Sequence, residues 1–483
     1  MSISSALSSA VSGLTTTSRS ADVISSNLAN ALTPGYARRQ LELETLGYGI
    51  PGVAVTGITR LVDQGIIADR QNAGSELAYA DTRAGFLAQI ERVIGTPDDP
   101  ASLSGRLAAF EAGLVTASAS PDNPANLQNA VFRAEELANS LNTAASEIER
   151  RRTEAEGQIA RAVDSVNTLL GQIRDVNIQI ARHGPADHHA ATLLDQRQAL
   201  VDQMSEFIPV RQVPRDNGTI ALFTPGGAIL LDGTAATLEF NQSNLVAPHM
   251  TLSNGLLSGL SINGVDVQPA GSRSPIDGGR LAALFSVRDD LGVDMQTQLD
   301  AVTRDIIERF QQADLDPTRA PGDPGLFTDA GAAFDPLNEI GVAGRISLNT
   351  AVDPDQGGET WRLRDGLGAV TQGPAGNGTL LSQLASVLGA SQALSSGDLG
   401  GGARSSSGHF ATLTSRLAQD RLTLDQSLSF ATVRQSELAE LELQNGVDSD
   451  AELQRLLLVE RAYSANARMI QTIDDMMQTL LRI

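Results

Sequence analysis

From Leu127 to Ile180 the apolar side chains return at alternating spacings of four and three. The series is Leu127, Val131, Ala134, Ala138, Leu141, Ala145, Ile148, then Ala155, Ile159, Ala162, Val166, Leu169, Ile173, Val176 and Ile180, with Arg152 as one polar interruption. That rhythm lines one face of a helix. Pro124 suits the first helical position behind Asp122 or Asn123 as cap. At the other end His183-Gly184-Pro185 stops the pattern, because Gly suits a C-terminal cap and Pro cannot continue the helix. At 1.5 Å per residue, a helix over residues 124–182 is about 85 Å long. It is a rod rather than a globular element, and the rest of the chain must pack along it or project from it.

Two further heptad stripes lie far from the rod. Ile3, Leu7, Ala10, Leu14, Thr17, Ala21, Ile24, Leu28 and Ala31 form the first, which ends at Thr33-Pro34-Gly35-Tyr36. Pro34 forces the residue before it out of the helical region, and Pro-Gly fits the central positions of a type II turn. The second stripe begins behind Ser449-Asp450-Ala451-Glu452, which reads as a capping box. It continues through Leu456, Val459, Tyr463, Asn466, Ile470, Ile473, Met477 and Leu480. Asn466 could fix helix register or simply face solvent.

Between these stripes the period changes. Gln40-Leu41-Glu42-Leu43-Glu44 alternates as a half-buried strand does. The Gly-rich passage Tyr48-Gly49-Ile50-Pro51-Gly52 leads to a second extended run, Val53-Ala54-Val55. Helical spacing holds over residues 61–94 and 103–116, and again after the rod, where Leu193, Leu194, Leu200 and Met204 are among the apolar positions. From Phe207 the period is two: Ile208, Val210 and Val213, then Ile220 and Leu222, Ile229 and Leu231, Leu238 and Phe240. Asp-Asn-Gly, Pro-Gly-Gly and Asp-Gly separate these runs, and Asn263-Gly264 marks a further hairpin. Gly278-Gly279 closes the stretch, and Leu281, Leu284, Phe285, Leu299, Val302, Ile306 and Phe310 resume a helix. Residues 314–402 are dense in Gly, Pro, Asp and Ser, with strand-like pieces at Arg345-Ile346-Ser347-Leu348 and around Trp361-Arg362-Leu363. Residues 397–407 read as a flexible linker, and residues 410–443 as helix up to Asn445-Gly446.

The expected fold class is therefore mainly α with inserted β domains: terminal coiled-coil-like helices, a long-helix bundle domain and two β-rich insertions. The boundaries are 1–60 for an assembly helix with extended connector, 61–205 for the first part of the helical rod domain, and 206–277 for a β domain. The rod domain returns over 278–313, a second β-rich or mixed insertion occupies 314–402, the last part of the rod domain is 403–446, and a C-terminal assembly helix fills 447–483. Both ends are heptad helices and the β material lies mid-chain, which fits a hairpin-like molecule with its termini together.

Composition narrows the function classes. A net charge of -22 argues against a phosphate-binding surface, so nucleic acid is not an expected partner. Aromatics are only 4% of the chain, which favours extended helical packing built on Leu, Ile, Val and Ala. All 35 basic residues are arginine, which reads first as codon bias. Cysteine is absent, excluding disulfides and thiolate chemistry. The first residues lack a basic segment followed by an unbroken apolar run, so no cleavable secretory signal is expected, and no window approaches the roughly 18 apolar residues that span a bilayer. No nucleophile elbow, phosphate loop or His-Glu-x-x-His is present, so no catalytic residue, cofactor or metal is expected. His183, His188 and His189 with Asp187 lack a spaced ligand set. Asp353, Asp355 and Glu359 do not match a calcium loop, and Arg150-Arg151-Arg152 among glutamates reads as a salt-laced helical face.

Asn27-Leu28-Ala29-Asn30-Ala31-Leu32-Thr33-Pro34-Gly35-Tyr36 resembles the N-terminal signature of axial proteins of the bacterial flagellum. Glu460-Arg461-Ala462-Tyr463-Ser464-Ala465-Asn466-Ala467, continuing through Ile470-Gln471-Thr472 and Met477-Gln478-Thr479-Leu480-Leu481, resembles their C-terminal one. Leu193-Leu194-Asp195-Gln196-Arg197 with Leu200-Val201-Asp202-Gln203, the passage from Gly278-Gly279-Arg280 to Arg288-Asp289, and Ser120-Pro121 before the rod are similar to the hook-associated FlgK family. The resemblance covers the helical regions and is weak over the β insertions.

It implies a structural protein of the hook–filament junction that forms a ring of subunits and meets the hook protein and the second junction protein. It also implies secretion without cleavage through the flagellar type III apparatus, with an export chaperone, and no membrane insertion. The expected assembly interface is Ile3, Leu7, Leu14, Ile24, Leu28, Leu456, Val459, Tyr463, Ile470, Ile473, Met477 and Leu480, with the turn Thr33, Pro34, Gly35 and Tyr36 as joint. The alternatives are a hook or rod protein, or an exported enzyme or adhesin carried on flagellar-type ends.

Overall fold

The computed structural model describes residues 3–33, 35–45, 52–183, 190–271 and 274–482, with only the backbone of His183. Pro34, most of the Gly-rich passage and the His-Asp cluster at residues 183–189 fall outside the described residues. The helices are α1 (Ile3–Ala29), α2 (Gln64–Ile94), α3 (Leu103–Ala119), α4 (Pro124–His183), α5 (Ala190–Phe207), α6 (Gly279–Ser286), α7 (Gly292–Gln311), α8 (Arg362–Asp365), α9 (Thr379–Gly389), α10 (Ser406–Gln444) and α11 (Ser449–Leu481).

Four small antiparallel sheets interrupt them. β1 (Arg38–Thr45) pairs with β2 (Val53–Leu61). The four-stranded sheet holds β3 (Arg211–Pro214), β4 (Ile220–Phe223), β5 (Ile229–Asp232) and β6 (Thr234–Ala235), and the three-stranded sheet holds β7 (Leu238–Glu239), β8 (Leu260–Ile262) and β9 (Val265–Val267). β10 (Phe327–Asp329) pairs with β11 (Ile346–Leu348). The chain is mainly α with inserted β material. At the β8–β9 turn both Asn263 and Gly264 have positive φ, the requirement of a two-residue I′ hairpin.

The rod is one 60-residue helix, α4, about 90 Å long. Asn123 caps it, its Oδ1 accepting the Ala125 N–H at 3.0 Å. One contiguous core of buried side chains between residues 84 and 424 follows α4, and Phe110, Phe310 and Phe327 pack there with ring centroids 5.4–5.8 Å apart. Among the described residues this core takes no side chain from α1, from β1–β2 or from α11.

Arg152 is not part of the salt-laced face. Arg150 and Arg151 pair with Glu147 and Glu154 on the surface, but Arg152 is fully buried. Its guanidinium donates to the carbonyls of Arg288 (2.8 Å) and Met250 (2.5 Å). One turn along α4, buried Glu156 pairs with Arg288 at 2.5 Å. Arg288 sits in a π turn, residues 287–291, between α6 and α7. Such a turn re-aims one side chain inward, here placing the guanidinium beside the Phe285 ring. Gly292 follows because a Cβ there would lie 2.6 Å from Arg152 Cγ. The polar break in the apolar series is thus where the rod grips the first insertion and the returning helix.

The ends of each insertion meet. Gly279 exits the first at φ +72°, where a Cβ would lie 2.4 Å from the carbonyl oxygen of Phe207, its entry residue. At the second, buried Arg309 of α7 donates to the carbonyls of Val387, Ala390 and Arg404, and the Ser406 hydroxyl donates to Asp305. Residues 397–407 are consequently not a loose linker. Arg404 bridges Gln392 in backbone pairing, and Gly397 packs where a Cβ would lie 2.7 Å from Ala301. Trp361-Arg362-Leu363 leads into the short helix α8 rather than a strand. The second insertion also contains α9, whose Leu381, Leu384 and Leu388 turn inward at helical spacing. Asp353 caps a turn, accepting the Asp355 N–H at 2.9 Å.

Asp300 of α7 holds that insertion from below. Its buried carboxylate accepts N–H groups from Gly341 (2.7 Å) and Ala343 (2.9 Å) and the Gln296 amide (2.9 Å). Burial nevertheless pushes the carboxyl up to about 6. A folded-state value above the unfolded one means that this group's contribution to stability rises as pH falls through 6 and shrinks above it. Relative to Asp300→Asn, the wild type should gain about 1 kcal/mol between pH 7 and pH 5. Urea denaturation of both chains at the two pH values measures it, and an unchanged difference would refute the assignment.

Candidate assembly site and its joint to the body

α1 and α11 lie against each other outside the main core. Polar caps set α11: Asp448, not Ser449, is the N-cap, accepting the N–H groups of Asp450 (3.0 Å) and Ala451 (3.1 Å). The expected capping box is absent because the cap lies one residue earlier, which makes Ala451 rather than Glu452 the third helical residue. Within the pair Ile24 and Ile473 are buried, and Ile3, Leu7, Leu14, Leu456, Val459 and Ile470 are half-buried. Asn466 lies on the seam, its amide 2.8 Å from where a Gly13 Cβ would be. A side chain at Gly13 would displace the Asn466 amide, so the two positions face each other across the seam.

Leu28, Tyr463, Met477 and Leu480 are exposed. They belong to a wider apolar surface that one stripe does not describe: Leu453, Leu457, Leu458, Met469, Met476 and Leu481 of α11 and Val11 of α1 are all at least 45% exposed. A groove of about 340 Å³ runs between α1, β1 and α11, lined by Val23, Ile24, Leu41, Leu43, Leu458 and Val459. β1 is less covered than its alternation implies, for Leu41 is half-buried and Leu43 exposed.

A polar joint ties this pair to the body. Asn27 is fully buried and uses its whole hydrogen-bonding capacity. Its Nδ2 donates to the Arg39 carbonyl (2.9 Å) and to Glu452 (3.1 Å), while its Oδ1 accepts the Arg39 N–H (3.0 Å) and the Tyr36 hydroxyl (3.0 Å). Glu452 also accepts from Arg38 (2.8 Å) and Arg455 (2.9 Å). Thr33 to Tyr36 forms the turn, with Tyr36 N–H donating to the Thr33 carbonyl at 3.1 Å and Gly35 at φ +78°. These are the features of a type II turn, and they aim Tyr36 back at Asn27.

From there α5 receives the load. Asp195 accepts from Arg39 and Arg60, each at 2.7 Å. Gln198 accepts from Arg60 at 2.9 Å and donates to Glu442 of α10 at 3.1 Å. Arg70 of α2 bridges Asp202, at 2.7 Å, and Glu442. Asp195, Gln198 and Asp202 share one face of α5, so the α5 segment is the anchor of the terminal unit. Burial pushes the Arg60 guanidinium down and Asp195 opposes it. In the sequence Glu452 reads as part of a capping box, and Asn27, Asp195 and Asp202 only as parts of family signatures; none of them reads as part of a joint. The available signal was a run of polar residues at helical spacing, which by itself looks like a solvated face.

Asn27→Ala should cost roughly 2–4 kcal/mol by leaving Glu452 and the Arg39 backbone unmatched. The loss should be confined to the terminal unit. Hydrogen exchange should quicken in β1 and the start of α11 and stay unchanged in α4; uniform quickening would contradict a separate joint.

Among the described residues no three His, Asp or Glu side chains converge to hold a metal ion, and no helix is long and apolar enough to cross a membrane. Paired heptad helices outside the core, with an apolar face left open and a polar joint behind them, form a terminal unit distinct from the body. Family descriptions agree: "Flagella basal body rod protein" matches residues 7–36, "Flagellar basal body rod FlgEFG protein C-terminal" matches residues 444–483, and "Flagellar hook-associated protein FlgK helical domain" matches residues 87–326. The chain belongs to the FlgK family, a family of structural flagellar proteins.

Flagellar hook-associated protein 1 of Salmonella typhimurium is 28% identical over 285 residues, covering 53% of this chain. The chain therefore spans about half the length of that relative, 51%. The proteins of the same name from Bacillus subtilis and Escherichia coli are 23% and 24% identical, over 94% and 100% of this chain and 93% and 100% of their own lengths. A solved structure of the flagellar hook junction protein FlgK from Burkholderia pseudomallei aligns with a TM-score of 0.45 at 21% identity, covering 55% of this chain and 47% of that one.

Proposed function

We propose that this chain is a structural junction protein linking hook to filament by co-assembly of α1 and α11 with the terminal helices of neighbouring axial subunits. The observation that carries the reading is the open apolar face of α11 beside the partly buried α1–α11 seam. A single chain cannot cover that face, and helices of the same type in adjacent subunits can. Each Å² so buried contributes about 25 cal/mol before the cost of ordering. The joint at Asn27, Glu452 and Asp195 would pass force between this inner layer and the body, with the insertions projecting outward from α4.

On this reading the protein is secreted, leaves the cell uncleaved through the flagellar type III apparatus with a chaperone, and forms a ring. It contacts the hook protein on one side and the second junction protein on the other. Deletion followed by electron microscopy tests it: hooks should be present without filaments, with flagellin in the medium. Absence of hooks would instead indicate a hook or rod protein, and normal filaments would refute the junction role.

A further inference from the structure

A second feature lies beneath the joint and is independent of the open helix face. A cavity of about 560 Å³ opens between β2, α2, α5 and the first sheet, lined by Arg60, Arg197, Arg211 and Arg215 together with neutral polar and apolar side chains. Among the described residues no carboxylate lines it, in a chain with 57 acidic residues against 35 basic ones.

Two of the four arginines are committed elsewhere. Arg60 pairs with Asp195, and Arg215 pairs with Asp232 at 2.9 Å. Arg197 is held by neutral oxygens only, donating to Asn177 Oδ1 (3.0 Å) and the Gly218 carbonyl (2.7 Å). The Arg211 side chain, which is exposed, has no ion pair or hydrogen bond among the described residues. Burial, and then the charge of Arg60, push the Arg197 guanidinium down to about 10. An incoming anion would relieve that repulsion. The guanidinium fork fits carboxylate geometry, and Gln64 and Asn72 add amide donors to the lining.

We infer that this arginine-lined cavity is an anion site for clustered carboxylates, filled by an acidic segment of a neighbouring protein subunit. A small free polycarboxylate has the same chemistry, and the two sources separate by affinity. The full chain is titrated by calorimetry at low salt with a hexaglutamate peptide and, separately, with citrate. Both probes should lose at least tenfold in affinity with Arg197→Gln and with Arg211→Gln, and be unaffected by Arg92→Gln, an exposed change on α2 outside the cavity. The exposed Arg211 side chain has no partner among the described residues and its β3 pairing uses backbone only, so its variant keeps the test valid should Arg197→Gln misfold. Peptide binding at least tenfold tighter than citrate supports a protein segment, and equal or weaker peptide binding overturns that source. No binding of either probe, or an equal loss with Arg92→Gln, overturns the site. The titration uses the isolated chain, so a failed junction role would leave its outcome unchanged.

Discussion

Cells whose only copy of this chain carries Leu457→Asp with Leu458→Asp will build hooks and bear no filaments. Both side chains are more than half exposed in the subunit, so exchanging them should change folding stability by only about 0.5 kcal/mol. In an assembled layer the same carboxylates would be buried without partners, a cost large enough to exclude the subunit. Two measurements separate these effects. The purified variant should melt as the wild type does, and electron microscopy should find bare hooks with the variant free in the medium. Filaments on such cells would mean that this face is not the assembly surface.

The largest loss of stability should come from Glu156→Ala. It removes one partner of a fully buried ion pair and leaves Arg288 with Asp289 as its one remaining carboxylate, which costs about 3–5 kcal/mol. Glu154→Ala, two residues away on the same helix, loses only surface contacts with Arg150, half-buried Arg151 and Gln158 and should cost under about 1 kcal/mol. Urea denaturation of both variants decides the matter, and equal midpoints would show that the π-turn clamp does not hold the returning helix.

Those two glutamates illustrate where sequence reasoning stops. In the sequence both belong to a run of alternating charges, which is most often a solvated face. In the fold, a turn of α4 separates a surface network from a buried lock, because the π turn at residues 287–291 brings Arg288 to Glu156 from 132 positions away. The arginines confirm the same limit. Arg152, Arg288 and Arg309 are fully buried, each holding carbonyls from distant segments, a task for which the planar guanidinium suits better than an ammonium. Codon bias does not account for that placement.

The loops divide likewise. Asn263-Gly264 was legible as a hairpin because its backbone requirement is local. Residues 397–407 read as a linker in the sequence because their composition says nothing of Ala301 or Gln392, which hold them. Trp361-Arg362-Leu363 turned helical because too few residues carry any period there. The interface residues split between the partly buried seam and the open face for a related reason: heptad spacing reports that a helix has an apolar side, not how much of it one partner covers.

The sequence by itself determined the rod, the two terminal helices, the turn between Thr33 and Tyr36 and the mid-chain position of the β material. Each depends on periodicity or on the backbone limits of Pro and Gly, which act over a few residues. Only the tertiary structure decided that Asn27, Glu452 and the Asp195 face of α5 form one joint, that Arg152 grips the first insertion, and that four arginines gather without a carboxylate. Those arrangements rest on pairing charges and hydrogen bonds across a hundred residues or more, and a polar side chain carries no mark in the sequence of the partner it will meet.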